Sequence, residues 1–518
     1  MRKFKTLAAA FLAGTGVAFA GGYLTNTNQY AAFLRNPARL ATFELDGVFS
    51  NPAGMAWLGE GWHLGFTWQN AAQTRTITST FAPFAGQMDQ LGNPVRTFKG
   101  EASAPFVPSV AAAYQKGPWT VTFHFGITGG GGKATFNSGL PMFEAPVAML
   151  PAMLGAAGVQ ADAYKAEMYM SGRQFVYGAQ AGLTYKVFEN RGDLKQGLAV
   201  HLGARMNFAS NRYEGYLRNI SARMTDAAGN GIMVPLSPFF REQSEDYAGK
   251  ATQAAAAAQQ YLVMAENTSD PALKAQYTAA AQQWQAGAEQ ATEASRTFAA
   301  YSQKTAGMEL DCDQKGWGIA PILGLDYRIG HLNLAARYEF KTSLNIENKT
   351  KVNTTGVAAF ANGVNTPNDI PAILAFGAQY SITPKWRAMA GWNCYFDKQA
   401  GMSGNKQKLL AKNTMEVTAG MEYDVLDRLT VSAGMQRTDY GTTDAFQSDL
   451  SFSCDSYLVA LGVKVKVTEK CSVDAGYMWN YYSDYTKSSD NYNGTGLPGT
   501  DVYSRTNKVF GLGVAYHF

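Results

Sequence analysis

The chain has 518 residues, 46% of them hydrophobic by the broad count and 16% charged, with 53 glycines and a formal charge of +4. The charged share lies well below the roughly 25% of soluble proteins. Yet mean hydropathy is −0.19 and the one long apolar run is N-terminal, which excludes a bundle of membrane-spanning helices. With 29 Phe, 27 Tyr and 9 Trp the composition is not that of a disordered chain, and evenly spread charge leaves no basic patch for nucleic acid.

Residues 1–20 carry Arg2, Lys3 and Lys5, an apolar stretch from Leu7 to Phe19 and the closing triplet Ala18-Phe19-Ala20. This is the pattern of a secretory signal peptide cleaved before Gly21, and it places the mature protein beyond a bacterial inner membrane. A membrane anchor would need a longer apolar run. Cys312, Cys394, Cys454 and Cys471 form no C-x-x-C pair, so thiolate metal binding is not expected and the spacing specifies no disulfide. The glycines before Lys133 do not make a phosphate loop, because Ile127 and Ala134 stand where Gly and Ser or Thr are required. None of His63, His124, His201, His331 and His517 stands in a recognisable hydrolase setting, so neither enzyme activity nor a cofactor is predicted.

Candidate strands follow in order near 62–80, 105–115, 119–136, 170–187, 197–218, 316–329, 331–347, 372–382, 385–398, 412–425, 428–439, 453–467, 471–486 and 505–518. Their period is two. Met415, Val417, Ala419, Met421 and Tyr423 share one face, and Glu416, Thr418, Gly420, Glu422 and Asp424 the other. Many run well beyond the usual length of about 5–6 residues. Tyr477, Trp479 and Tyr481 lie on an apolar face, as a membrane-interface girdle would. Tight turns at Lys116-Gly117-Pro118, 189–196, Gly330, Thr383-Pro384, Leu426-Asp427 and 468–470 alternate with long loops, which assigns the turns to the periplasm and the loops to the outside. The predicted fold is an all-β membrane protein, a 14-stranded antiparallel transmembrane β-barrel over 62–518. The final strand, Phe510 to Phe518, resembles the terminal signal read by the barrel assembly machinery of the bacterial outer membrane.

Residues 21–61 are too irregular for the wall and include Arg35-Asn36-Pro37-Ala38 and Ser50-Asn51-Pro52-Ala53-Gly54-Met55-Ala56. Together with Phe106-Val107-Pro108 and the strand that opens at Trp119, these stretches resemble the FadL family of outer-membrane transporters for long-chain fatty acids and other hydrophobic compounds. The likeness covers nearly all of the mature chain in order and strand count, the long loops excepted. It implies an N-terminal hatch at 21–61 that holds Asn36, Pro37, Asn51, Pro52, Ala53 and Gly54 inside the barrel. It further implies capture of a hydrophobic ligand between extracellular loops, transfer to an internal pocket and lateral exit beside a kinked third strand. Gly129, Gly130, Gly131 and Gly132 interrupt that strand and are the candidate kink; the alternative is a flexible rim beside the next loop. The family's basic pocket residues would fall near Arg212 and Lys398, where a buried carboxylate needs a cation. Arg337 and Arg387 also face inward and are equally suited to structural pairs with Glu339, Glu416 or Glu422.

The loop after the third strand is dense in Met and Leu, and Met142, Phe143, Met149, Leu150, Met153 and Leu154 are its candidate ligand contacts, with mutual packing the equal alternative. Residues 240–306 are Ala/Gln-rich and predict a helical hairpin inserted in an extracellular loop between strands five and six, broken at Pro271 with Ser269 or Asp270 as cap. Tyr261, Leu262, Tyr277, Trp284, Phe298 and Tyr301 are its expected seam. The expected function is passive uptake of long-chain fatty acid or another hydrophobic small molecule. The expected partners are that ligand, outer-membrane lipid and lipopolysaccharide, and the assembly machinery, with the barrel monomeric. The alternative function is an adhesin or partner-binding scaffold that presents the hairpin.

Overall fold

The computed structural model describes residues 28, 30–190, 192, 195–226 and 228–518. The expected signal peptide at 1–20 and the first hatch residues, 21–27, lie outside the described residues. Fourteen strands form the wall: β1 (Gly61–Phe81), β2 (Val95–Lys116), β3 (Trp119–Phe136), β4 (Ala161–Asn190), β5 (Gln196–Thr225), β6 (Met308–Ile329) and β7 (Leu332–Glu339), then β8 (Ile373–Thr383), β9 (Trp386–Tyr395), β10 (Thr414–Leu426), β11 (Leu429–Asp439), β12 (Ser456–Lys466), β13 (Cys471–Tyr482) and β14 (Gly499–His517). Each pairs antiparallel with its neighbour in sequence. β14 returns to β1 from His63 opposite His517 to Phe81 opposite Gly499, so the barrel is closed.

The wall is inside-out relative to a soluble protein. Val417, Leu461, Met435 and Trp479 are exposed on its outer face, while Thr418, Glu422 and Gln436 are buried toward the lumen. That exchange suits strands with lipid outside and polar filling inside. The expected strand at 331–347 is interrupted after Glu339 and resumes as Asn345–Asn353 on the upper part of β6. Pro321 of β6 offers no N–H at the break and only its carbonyl is used, by Phe340 N at 3.0 Å.

Residues 30–60 fill the lumen at the tight-turn end with α1 (Ala31–Arg35), α2 (Gly47–Ser50) and a 3-10 turn, Pro52–Trp57. Room for them comes from the lumen-facing glycines Gly377, Gly391, Gly420, Gly434, Gly462, Gly476 and Gly511, on β8 to β14. A methyl group on any of these would strike Leu40, Asn36, Pro37, Arg35, Leu34 or the α1 backbone. The wall glycines are therefore the seat of the hatch.

At the opposite end α3 (Pro141–Ala148) and α4 (Leu150–Ala156) lie over the mouth. The hairpin α5 (Leu236–Asn267) and α6 (Pro271–Thr305) is inserted between β5 and β6. Asp270 caps α6 by accepting from Ala272 N at 2.8 Å and Leu273 N at 3.4 Å. Of the expected seam, Tyr261 meets Tyr277 across the hairpin, Phe298 and Tyr301 pack on Phe240, and Leu262 and Trp284 are exposed, with Ala254, Ala258, Ala265 and Ala281 buried in the seam as well. Alanine lets two long helices approach closely, which leaves no space between them for an indole.

Candidate lumen site and wall gap

A cavity of about 370 Å³ occupies the lumen between hatch and loops. Its floor is made by Phe33, Leu34, Pro37, Arg39 and Leu40, its roof by Leu140 and 449–453, and its side reaches the wall at Ala104, Val107, Gly130 and Gly132.

The floor is held by a charge cluster. Arg35, fully buried, donates to Glu44 and Asp474 at 2.7 Å and to Glu422 at 2.6 Å. Arg39 donates to Asp46 at 2.6 Å and to Glu44 and Glu422 at 2.7 Å. Lys464 reaches Glu44 at 2.7 Å, and Arg387 reaches Asp424 at 2.7 Å and Glu422 at 3.4 Å. Every guanidinium edge here meets an acceptor, so the cluster joins the hatch to β10, β12 and β13 with no capacity left for a ligand.

A second anchor follows from the Asn-Pro-Ala-Gly segment. Asn51 donates to Asp326 at 2.6 Å and Trp57 Nε1 to the same carboxylate at 2.8 Å. Asn51 Oδ1 accepts from Gly54 N at 3.3 Å, and the Pro52 carbonyl accepts from Thr184 at 2.9 Å. Asn36 is fully buried, its amide directed at Met389 Sδ, 3.0 Å away, while Pro37 fits over Gly434. Ala53 is packed with no exposure at all.

The wall is unzipped beside the cavity. Ser103 pairs with Lys133 and the next ladder pair is Ser109 with Gly126, so 104–108 of β2 and 127–132 of β3 do not pair with each other. The β3–β4 register also shifts between Ile127 and Gly129 and again between Gly129 and Gly132. Gly130 and Gly132 have φ of +92° and +84°, conformations that favour glycine. Across the gap Pro105 and Pro108 have no N–H to donate, and the freed Pro105 carbonyl accepts from Trp68 Nε1 at 3.0 Å instead. The prolines thus share in the missing pairing, which the glycines alone marked in the sequence.

No protein-family model matches the chain and no curated protein matches it. Among solved structures the chain is similar over 96% of its length to a Pseudomonas aeruginosa FadL homologue, at 14% identity, with 100% of that chain covered and a TM-score of 0.58. The chain has the FadL-like fold. It is likewise similar over 96% of its length to a deltaS2S3 mutant of the TodX monoaromatic hydrocarbon channel, at 11% identity, with 99% of that chain covered and a TM-score of 0.51.

Within this FadL-like barrel the two expected pocket cations are elsewhere. β9 ends at Tyr395, and Lys398 stands exposed on the turn Asp397–Gln399 with Nζ on the Ala411 carbonyl at 3.2 Å. Solvent spares that ammonium the cost of desolvation. On β5, Asn211 and Tyr213 are buried toward the lumen, so Arg212 takes the outer face, where Glu214, Asp311 and Asp313 surround it. Of the loop residues, Met149, Leu150, Met153 and Leu154 are buried in the roof's own core with Met168, Met170 and Leu217. Met142 and Phe143 pack beside them half-buried, and only Leu140 of this loop lines the cavity. Arg387 pairs with Glu422 as one reading held, whereas Arg337 donates to the Phe49 carbonyl and Glu339 is taken by Arg205 at 2.7 Å. The cavity's remaining cations, Arg75 and Arg505, were missed. Strand parity, with Leu64, Phe66 and Trp68 outward and Phe510 and Leu512 outward, places both in the lumen and was signal enough.

Proposed function

We propose that the protein carries hydrophobic small molecules passively across a bacterial outer membrane, from the loop end through the lumen cavity to the gap between β2 and β3. One observation carries this reading: the cavity touches the wall at Ala104, Val107, Gly130 and Gly132, where the backbone ladder is missing. A closed barrel otherwise has no low-cost lateral path, since every wall hydrogen bond broken in lipid goes unreplaced. Long-chain fatty acid is the first ligand class on this reading, and Gly129 to Gly132 form the exit. The hatch at Asn36, Pro37 and 51–54 is the element that moves. Lipopolysaccharide, the assembly machinery and a monomeric state belong to the same proposal.

A cell-uptake assay tests it. Ala104→Trp puts an indole at the lumen side of the gap and is expected to lower uptake of labelled dodecanoate and toluene by about tenfold. The purified variant should unfold at the same denaturant midpoint as wild type, which separates a blocked gap from a failed fold. Uptake equal to wild type overturns the lateral route. The second reading, a scaffold for a partner, is favoured by the exposed Leu262, Val263, Met264, Leu273 and Trp284 of the hairpin. Deletion of 246–305 would then abolish partner binding and spare uptake.

A further inference from the structure

We propose that the outer face of the wall from β3 to the resumed strand Asn345–Asn353, just beyond its aromatic row, binds the phosphate groups of an acylated outer-leaflet lipid, the anchor of lipopolysaccharide, and holds that lipid beside the wall gap. The proposal rests on the outer-membrane placement above, and it turns a general partner into a site on one side of the barrel.

Alternation along the strands decides which residues stand here. On β6 the outward residues Leu325, Leu323, Ile319 and Trp317 are exposed, and beyond them come Lys315, Asp313 and Asp311, with Gln314 and Cys312 buried between. Phe208 of β5, exposed as well, is the ladder partner of Tyr177 on β4 and of Trp317 on β6, so an aromatic row crosses three strands. Such rows stand where acyl chains give way to head groups. Four residues nearer the loops, a second row crosses five strands: Lys133, Arg173, Arg212, Asp313 and Lys349 are successive ladder partners. It spans four strand spacings, or about 19 Å. Lys315 and Lys351 flank it on the same face.

Carboxylates answer only part of this patch. Arg212 meets Glu214, Asp311 and Asp313, and Lys351 meets Asp313 at 3.1 Å and Asp311 at 3.6 Å. Lys133 reaches Glu214 at 4.0 Å. Among the described residues Arg173, Lys315 and Lys349 form no ion pair, and the Nε of Arg173 is buried without a partner. Glu347, opposite Lys315 in the ladder, pairs with none of them. Other outward charges at the loop end are matched one to one, as are Lys99 with Glu101, Arg218 with Glu167, Arg223 with Asp162 and Lys412 with Asp439. Like charges opposite one another on a ladder repel, so the run Lys133, Arg173, Arg212 calls for an external anion. A phosphate supplies it, and acyl chains of the same molecule cover Phe208, Trp317 and Ile319 below. Lys133 is also where β3 resumes pairing with β2, at Ser103, so a lipid held there stands at the loop-end rim of the gap.

Equilibrium binding to the protein purified in mild detergent tests this, with lipid A, lipid A stripped of its phosphates, and inorganic phosphate as probes. Wild type is expected to bind lipid A at least about tenfold tighter than the dephosphorylated lipid. The triple substitution Lys133→Gln, Arg173→Gln and Lys349→Gln is expected to weaken lipid A about a hundredfold, and Arg173→Gln alone, which serves if the triple variant fails to fold, about fivefold. Lys412→Gln, outside the patch, should stay within about twofold. Equal binding of the two lipids by wild type overturns phosphate recognition. Lipid A affinity that survives the substitutions, or falls as far with Lys412→Gln, overturns the site. Displacement of lipid A by inorganic phosphate at matched concentration overturns the lipid as the ligand. Each of these results, with the protein recovered in the outer-membrane fraction of cells, leaves the outer-membrane placement standing; absence from that fraction overturns the placement as well.

Discussion

Two arginine pairs face the lumen, and they teach opposite lessons. At the floor Arg35 and Arg39 are buried among Glu44, Asp46, Glu422 and Asp474, each guanidinium edge occupied. Near the roof Arg75 and Arg505 oppose each other and meet carbonyl and aromatic groups, with no carboxylate among the described residues. Residue type is shared, but Arg35 and Arg39 are fully buried whereas Arg75 and Arg505 are half-buried, and the count of anionic partners differs. A cation ringed by carboxylates fixes structure, whereas one without them keeps hydrogen-bonding capacity unused.

The largest expected effect breaks the floor. Arg35→Ala strands Glu422 and Asp474 beside fewer cations, and loss of one partner from a buried ion cluster costs about 3–5 kcal/mol. Denaturant unfolding should show that loss, and planar-bilayer conductance should rise as the hatch loosens. Arg505→Gln in ligand-free protein should leave stability unchanged or slightly raised, because it removes a repulsion and no ion pair. Equal destabilisation by the two substitutions would erase the distinction between the pairs.

A smaller effect lies in the roof. Asp449 accepts from Met142 N at 2.8 Å and so ties α3 to the neighbouring loop. Burial, with Asp501 beside it, pushes this carboxyl up from its ordinary 3.8 to about 7. The native state therefore keeps the proton that the unfolded chain releases. Its contribution favours the closed roof at low pH and is lost as pH rises from about 4 to about 7. Hydrogen exchange in 141–148, corrected for its intrinsic pH dependence, should show opening more frequent at pH 8 than at pH 5, by up to about a hundredfold. Asp449→Asn should flatten that profile, and a flat wild-type profile would deny the tie a protonation role. The smallest effect sharpens the comparison from outside the lumen: Lys398→Ala and Arg212→Gln should change dodecanoate affinity by less than about twofold, since both cations are solvent-screened. A tenfold loss at either position would return the pocket to the sites the resemblance implied.

Much of the architecture was legible. Alternation in Met415 to Asp424 and Phe510 to Phe518 announced strands with one apolar face, and strand parity set the insertion expected at 240–306, observed as helices over 236–305, at the same end as the other long loops. The glycines of β3 marked the gap. Less legible was why glycine recurs at Gly420, Gly434, Gly462 and Gly476, because the reason is a hatch far away in sequence that presses on them. Lys398 misled because the resemblance, followed by order along the strands, put it at the end of a ninth strand drawn to 398, whereas the wall ends at Tyr395.

The sequence by itself determined which side chains enter the lumen, since alternation across a strand is local and needs no partner. Alternation likewise determined the barrel, Ala/Gln composition with a cap before Pro271 determined the hairpin, and the hatch segment was marked by resemblance. Only the tertiary structure decided which charges meet: closure of β14 on β1 brings Arg505 beside Arg75 from opposite ends of the chain, and docking of the hatch gives Arg35 and Arg39 their acids. Coulomb energy depends on separation in space, and strand parity carries no information about distance between elements that only closure brings together.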